Sequence, residues 1–129
     1  MSVGNSLESQ LPGVDWRANG KTVLLALSTR CHFCTESAPF FQQLSKKSGK
    51  AFKILAVLPE SVTAAQDYLK REGVQVDQLR QMSLDRLGID GTPTMLLLNG
   101  SGTVMERWVG KLNPEEQSRA LKVIDGNRL

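Results

Sequence analysis

The sequence predicts one α/β domain, a mixed central sheet with helices on both faces and a small insertion before the third long strand. Three observations lead there. The longest apolar runs, VLLAL from Val23 to Leu27 and MLLL from Met95 to Leu98, have the length of buried strands. Between them lie stretches whose apolar residues recur at spacings of three and four, as on amphipathic helices. The resulting order is β-α-β-α-β-β-α, in which helical crossovers make the first strands parallel and a tight turn makes the last pair antiparallel.

Each element has its own signal. Residues 1–12 read as an irregular N-terminal segment, and the domain proper as 13–129, entered through Gly13 to Gly20 with Trp16 packed underneath. Thr22 to Ser28 is the first strand. A helix follows the first cysteine, with Phe33, Ser37, Phe40, Phe41 and Leu44 on its apolar stripe and Lys46 and Lys47 in its last turn, where they complement the dipole. Phe52 to Leu58 is the second strand, and residues 61–72 a second helix with Val62, Ala65 and Leu69 on one face. In the insertion, residues 74–90, VQV reads as a short extra strand and Met82 to Leu87 as a short helix. Thr94 to Leu98 and Thr103 to Val109 form a hairpin around Asn99, Gly100, Ser101 and Gly102. Asn113 is an N-cap, with Pro114 at the first helical position and Glu116 placed for a capping box. Ala120, Leu121 and Ile124 give that helix its apolar contacts.

Composition narrows the functions. A chain of 129 residues with 40% hydrophobic and 22% charged residues can bury a core without crosslinks or metal. The net charge is only +3, and its densest part, Lys46, Lys47, Lys50 and Lys53, reads as a solvated face at a helix end. Basic residues do not interleave with aromatics, which argues against nucleic acid. Apolar runs stay far below the roughly 18 residues of a membrane span. The polar start, MSVGNSLESQ, lacks the basic and apolar regions of a signal peptide. The chain is therefore cytosolic, or a leader or anchor has been trimmed from it.

Chemistry concentrates in STRCHFCTESAPFF, from Ser28 to Phe41. Cys31 and Cys34 are the only cysteines, separated by two residues. At the mouth of the first helix the Cys31 sulfur lies near free backbone N–H groups and the positive end of the dipole, which favour a thiolate. Cys34, one turn on, is close enough to bond to it. Such a pair can attack a partner disulfide and then release the product, or run the reaction backwards. Two other uses stand beside this one. A metal site needs three or four ligands, and the sole histidine, His32, is wedged between the cysteines and poorly placed to share a metal, so none is expected. A structural disulfide closing so short a loop removes little chain entropy.

Several segments together resemble the thioredoxin superfamily over roughly residues 12–126, and more closely its tethered, extracytoplasmic disulfide reductases of cytochrome maturation. CHFC from Cys31 to Cys34 looks like the redox motif, and Pro39 falls at the helix-kinking proline. GIDGTPTMLLLNGSG resembles the stretch around the cis-proline, with Pro93 at that position, and WVGKLNPEE resembles the glycine-bearing segment, with Gly110 at the glycine. The resemblance implies a thioredoxin fold with the insertion ahead of the cis-proline strand. It also implies a groove in which Thr92, Pro93 and Gly110 receive an extended partner segment. Departures are equally visible. The superfamily's buried aspartate, six residues before the first cysteine, is Leu25 here. The glutamate that some tethered reductases place three residues after the second cysteine is Ser37, with Glu36 one position off. Arg30 replaces the usual tryptophan, so Arg30 and His32 put up to two cations beside the thiolate, an arrangement that lowers its pKa and shifts the pair towards a more oxidising potential. Thr92 resembles the residue found at that position in some extracytoplasmic isomerases.

The main reading is thus a thiol–disulfide oxidoreductase, with Cys31 as nucleophile, Cys34 as resolving thiol and Arg30, His32 and Phe33 as active-site neighbours. It needs no cofactor. Its partners are protein thiols or disulfides and an upstream redox partner, without nucleic acid or membrane contact by this domain, and it is a monomer. An extracytoplasmic location fits the lead-in LPGVDW and the insertion. The alternative is a non-catalytic binding domain that uses the cis-proline groove. A thiol peroxidase is disfavoured, because the resolving partner lies one turn away and no Thr/Pro-rich loop precedes Cys31.

Overall fold

The computed structural model describes residues 2–49 and 51–126. Lys50 of the lysine cluster and residues 127–129 at the end of the expected domain lie outside the described residues. A five-stranded sheet forms the centre, built from β1 (Thr22–Ala26), β2 (Lys53–Leu58), β3 (Gln78–Gln81), β4 (Thr94–Leu98) and β5 (Val104–Val109) in the spatial order β3-β2-β1-β4-β5. β1 pairs with β2 and β2 with β3 in parallel, whereas β4 runs antiparallel to both β1 and β5. The helices are α1 (Trp16–Asn19), α2 (His32–Glu36), α3 (Ala38–Lys47), α4 (Val62–Arg71) and α5 (Pro114–Ile124).

β1 and β4 are buried along their whole length, so alternate residues feed two separate cores. Val23, Leu25, Ile54, Ala56, Met95 and Leu97 face the helical side, where Phe40, Phe41 and Leu44 of α3, Tyr68 and Leu69 of α4 and Ile124 of α5 pack on them. Leu24, Ala26, Leu55, Val57, Leu96 and Leu98 face the other side. That second face is covered by Leu7, Leu11 and Val14 of the lead-in, Trp16 of α1, and Leu87 in a 3-10 helix over Leu84–Leu87. Leu7 and Leu11 are fully buried, and Ser6 makes a bridge to Thr103. Burying each such leucine stabilises the fold by roughly 1.5–3 kcal/mol. The mixed sheet with helices on both faces matches the expected class.

The local departures have physical causes. The first helix is two helices, α2 and α3, meeting at Ser37, with Pro39 (which lacks an N–H) in the first turn of α3. Phe33, expected on the apolar stripe, is on α2 and 54% exposed; Val62 of α4 is also exposed, its place on the buried face taken by Tyr68. VQV is not a strand. Val74 donates its N–H to Leu69 and Gln75 pairs with the Ser45 hydroxyl, so the helices hold this segment. The extra strand is β3, which begins after Asp77 accepts the Ile54 N–H at 2.7 Å. The expected helix from Met82 is the 3-10 helix. α1 carried no periodic signal, being one turn capped by the Asp15 side chain.

Candidate active site

Strand register assembles the site. Ala26, last in β1, pairs with Thr94, first in β4, and Thr94 pairs with Val109, last in β5. The segments beyond these three residues therefore meet at one end of the sheet. They carry Cys31, Pro93 and Gly110. The Thr92–Pro93 peptide bond is cis, Pro93 is buried, and its carbonyl accepts the Gly110 N–H at 2.8 Å. Thr92 is half-buried, and the Thr94 hydroxyl donates to the Gly91 carbonyl at 2.6 Å. Behind Pro93 the chain leaves a small cavity lined by Ser37, Phe40, Met95, Trp108 and Gln117.

The turn into the redox motif is held from the loop after β2. Glu60 accepts the Ser28 hydroxyl at 2.8 Å and the Thr29 N–H at 3.1 Å, and the Ser28 backbone carbonyl accepts the Cys31 N–H at 3.1 Å. Cys31 then caps α2: its extended backbone starts the helix, and its sulfur accepts the Cys34 N–H at 3.1 Å. Cys31 and Cys34 are joined as a disulfide, their Cα atoms 5.1 Å apart. Cys31 is half-buried, whereas Cys34 is only 2% exposed and belongs to the helical-side core. The pair is therefore asymmetric, with one sulfur reachable and one sheltered.

Charged and polar neighbours surround this pair. Arg30 is exposed, and its guanidinium makes no hydrogen bond or ion pair among the described residues. His32 does not stand free beside the sulfur: its Nε2 pairs with Glu36 at 2.5 Å, and its ring meets the edge of Phe33. The other Glu36 oxygen pairs with Lys111 at 2.8 Å. That Lys111 hydrogen bond is the main reason the Glu36 carboxyl sits below its ordinary pKa; partial desolvation opposes it and His32 adds to it. Leu25 is fully buried, and the Ser37 hydroxyl is spent on the Phe33 carbonyl at 2.7 Å, so neither offers an acid beneath the cysteines. On the far side of α2, Thr35 shares a 3.0 Å hydrogen bond with Tyr68, whose pKa is raised by burial.

Cys31, Cys34, Thr92, Pro93 and Gly110 thus converge on one end of the sheet, with Arg30, His32 and Phe33 on the motif itself. Glu60, Tyr68 and Lys111 did not stand out in the sequence. The His32–Glu36 spacing of four was legible as a helical pair; the other contacts join residues more than thirty positions apart and leave no local pattern. Among the described residues no group of three or more His, Cys, Asp or Glu side chains could hold a metal.

Known proteins supply the context. No curated protein sequence matches the chain. Its fold is similar to the thioredoxin domain of a Bacteroides vulgatus thiol-disulfide oxidoreductase, at TM-score 0.68 and 15% identity over 95% of this chain and 97% of that one. A secreted Mycobacterium tuberculosis disulfide oxidoreductase gives TM-score 0.67 and 14% identity, over 85% and 84% of the two chains. The exposed lipoprotein thioredoxin of Streptococcus pneumoniae gives 0.59 and 19%, over 83% and 87%. At these identities the likeness is one of fold. The family description "Thioredoxin-like domain" matches residues 14–124, a span holding both cysteines, Pro93 and Gly110, and the chain belongs to that family.

Proposed function

We propose that this chain is a thiol–disulfide oxidoreductase of protein substrates. In the reducing direction the Cys31 thiolate attacks one sulfur of a partner disulfide. A mixed disulfide forms and the partner's other sulfur leaves as a thiolate. Cys34 then loses its proton and attacks the Cys31 sulfur, which releases the second partner thiol and leaves the Cys31–Cys34 disulfide. An upstream dithiol returns two electrons and two protons. The observation that carries this reading is the asymmetry of the bonded pair: a reachable Cys31 whose sulfur already accepts a backbone N–H, and a Cys34 that only Cys31 can meet. That N–H bond strengthens when the sulfur is a thiolate.

In the same reading Thr92, Pro93 and Gly110 form the docking groove, where an extended segment of the partner lies against the backbone. Phe33 and Arg30, exposed on the neighbouring motif, would meet the same partner. The protein works as a monomer outside the cytoplasm, as a tethered reductase of the cytochrome-maturation kind. The likeness to secreted and exposed-lipoprotein relatives supports that placement. The net direction follows the potential of the pair relative to its partners.

The test is insulin reduction in dithiothreitol, together with the equilibrium of the pair in glutathione buffers. The protein is expected to accelerate insulin reduction and to show one reversible two-electron transition, and Cys31→Ser to abolish both. A second reading, a binding domain using the same groove, draws on the apolar Leu25 where an acid would assist proton transfer. Absence of both activity and a reversible transition would establish that second reading in place of the first.

A further inference from the structure

Glu36 occupies an unusual position between the redox motif and the groove. It is the last residue of α2, and its two oxygens are both engaged, Oε2 by His32 Nε2 at 2.5 Å and Oε1 by Lys111 Nζ at 2.8 Å. His32 lies between the two cysteines. Lys111 follows Gly110, whose N–H holds the Pro93 carbonyl. Among the described residues this is the only ion pair joining α2 to the segment after β5. A surface ion pair contributes little to stability, so stability alone gives this convergence no purpose.

Charge gives it one. The reduced pair carries a thiolate, which nearby cations stabilise and a nearby carboxylate destabilises, so each fixed charge moves the dithiol–disulfide equilibrium. Helix rise puts Glu36 about 7.5 Å along the axis from Cys31. That is within the Debye length of about 8 Å at physiological ionic strength. Among the described residues, the Lys111 ammonium and the His32 ring both pair with Glu36, whereas the Arg30 guanidinium pairs with no acid.

We propose that Glu36 is a positioning residue that restrains the oxidising strength of the Cys31–Cys34 pair by holding the Lys111 ammonium neutralised beside it, with the His32 ring bound to its other oxygen. This rests on the thiol–disulfide reading and adds to it a determinant of the potential. In Glu36→Gln the Lys111 ammonium keeps its charge without its counter-ion, the thiolate is favoured, and the protein becomes a stronger oxidant. In Lys111→Met the carboxylate gains weight and the protein becomes a weaker one.

The test is the equilibrium constant of the full chain with reduced and oxidised glutathione, paired with thiolate absorbance at 240 nm. The variants are Glu36→Gln, Lys111→Met, the double variant, and Glu8→Gln as a charge control at the other end of the sheet, near the Ser6–Thr103 bridge. Glu36→Gln is expected to shift the equilibrium about threefold towards the dithiol, which is about 14 mV for a two-electron couple. Lys111→Met should shift it in the opposite direction, the double variant should return near the parent, Glu8→Gln should do nothing, and ~1 M salt should shrink both shifts. A purely structural role would move both single variants the same way, and that result overturns the proposal. So does an unchanged Glu36→Gln equilibrium in a protein whose parent titrates normally. A parent with no reversible transition removes the thiol–disulfide reading itself, a result distinguishable from the other two.

Discussion

Gly110 and Pro93 are locked back to back across the end of the sheet: the Gly110 N–H reaches the Pro93 carbonyl at 2.8 Å, and Gly110 itself has φ +84°. That φ lies in the left-handed region, which costs a residue with a Cβ roughly 1–2 kcal/mol. A Cβ placed there meets nothing within 4 Å, because it points into open space. Gly110→Ala should therefore have two separable effects. Stability falls by about 1 kcal/mol in urea unfolding. Turnover of a protein disulfide falls at least about threefold through a higher KM, whereas a small disulfide, which needs no groove, is reduced at the parental rate. Equal losses on both substrates would remove Gly110 from the docking surface.

Tyr68 offers a direct optical measurement, because it is the only tyrosine in the chain. Burial raises its pKa above the ordinary value of 10.0, and the hydrogen bond to Thr35 only partly offsets this. A raised folded-state pKa means that the folded chain holds the proton more tightly than the unfolded chain. The stability it supports is complete below pH 10 and is lost as pH rises through the folded pKa. Absorbance at 295 nm should give a single phenol titration with a midpoint above 10. Urea midpoints should fall over the same range, and Tyr68→Phe should remove that part of the alkaline slope while costing about 1 kcal/mol at neutral pH. A midpoint at or below 10 in the folded protein would contradict the burial argument.

What the sequence made legible follows from where each residue finds its partner. β1 and β4 stood out because apolar residues fill both of their faces, and α5 because Asn113 and Glu116 cap it within its own first turn. The site was legible wherever chemistry and spacing are local: Cys31, Cys34 and Pro93 carry their meaning in short motifs. Within 74–90 the short helix was legible, but the extra strand was placed too early, at VQV, because Val74 and Gln75 answer to Leu69 and Ser45 and pairing with β2 starts only at Gln78. Phe33 was misread because the break at Ser37 turns α2 away from the stripe that α3 continues. Glu60 and Lys111 act on the motif through contacts 31 and 75 residues apart in sequence, and no periodicity reports such contacts.

Trp16 and Gly102 show the packing on the second face at its tightest. A Cβ on Gly102 would lie 2.9 Å from Trp16 Cε2, and the φ there is +77°. Trp16 is buried in a core that also holds Leu7, Leu11, Leu24 and Leu98, so the ring has little freedom to withdraw. Gly102→Ala combines overpacking with left-handed backbone strain and should cost about 2–4 kcal/mol in urea unfolding. Tryptophan fluorescence of the folded state should shift as the indole moves. The Cys31–Cys34 equilibrium, at the opposite end of the sheet, should not change.

The two cysteines predict opposite outcomes when removed one at a time. In Cys34→Ser the reachable Cys31 can still attack a partner disulfide, but no second thiol completes the exchange. The mixed disulfide should accumulate as a covalent adduct that dithiothreitol releases. In Cys31→Ser the remaining thiol is Cys34, 2% exposed on the buried side of α2, and adducts should be at least about tenfold scarcer. Non-reducing electrophoresis with a disulfide-bearing protein substrate, followed by mass spectrometry of the band, reads both. Equal trapping by the two variants would mean that the burial difference does not govern attack, and the assignment of nucleophile and resolving thiol would have to be abandoned. Trapping by Cys34→Ser alone assigns the first attack to Cys31.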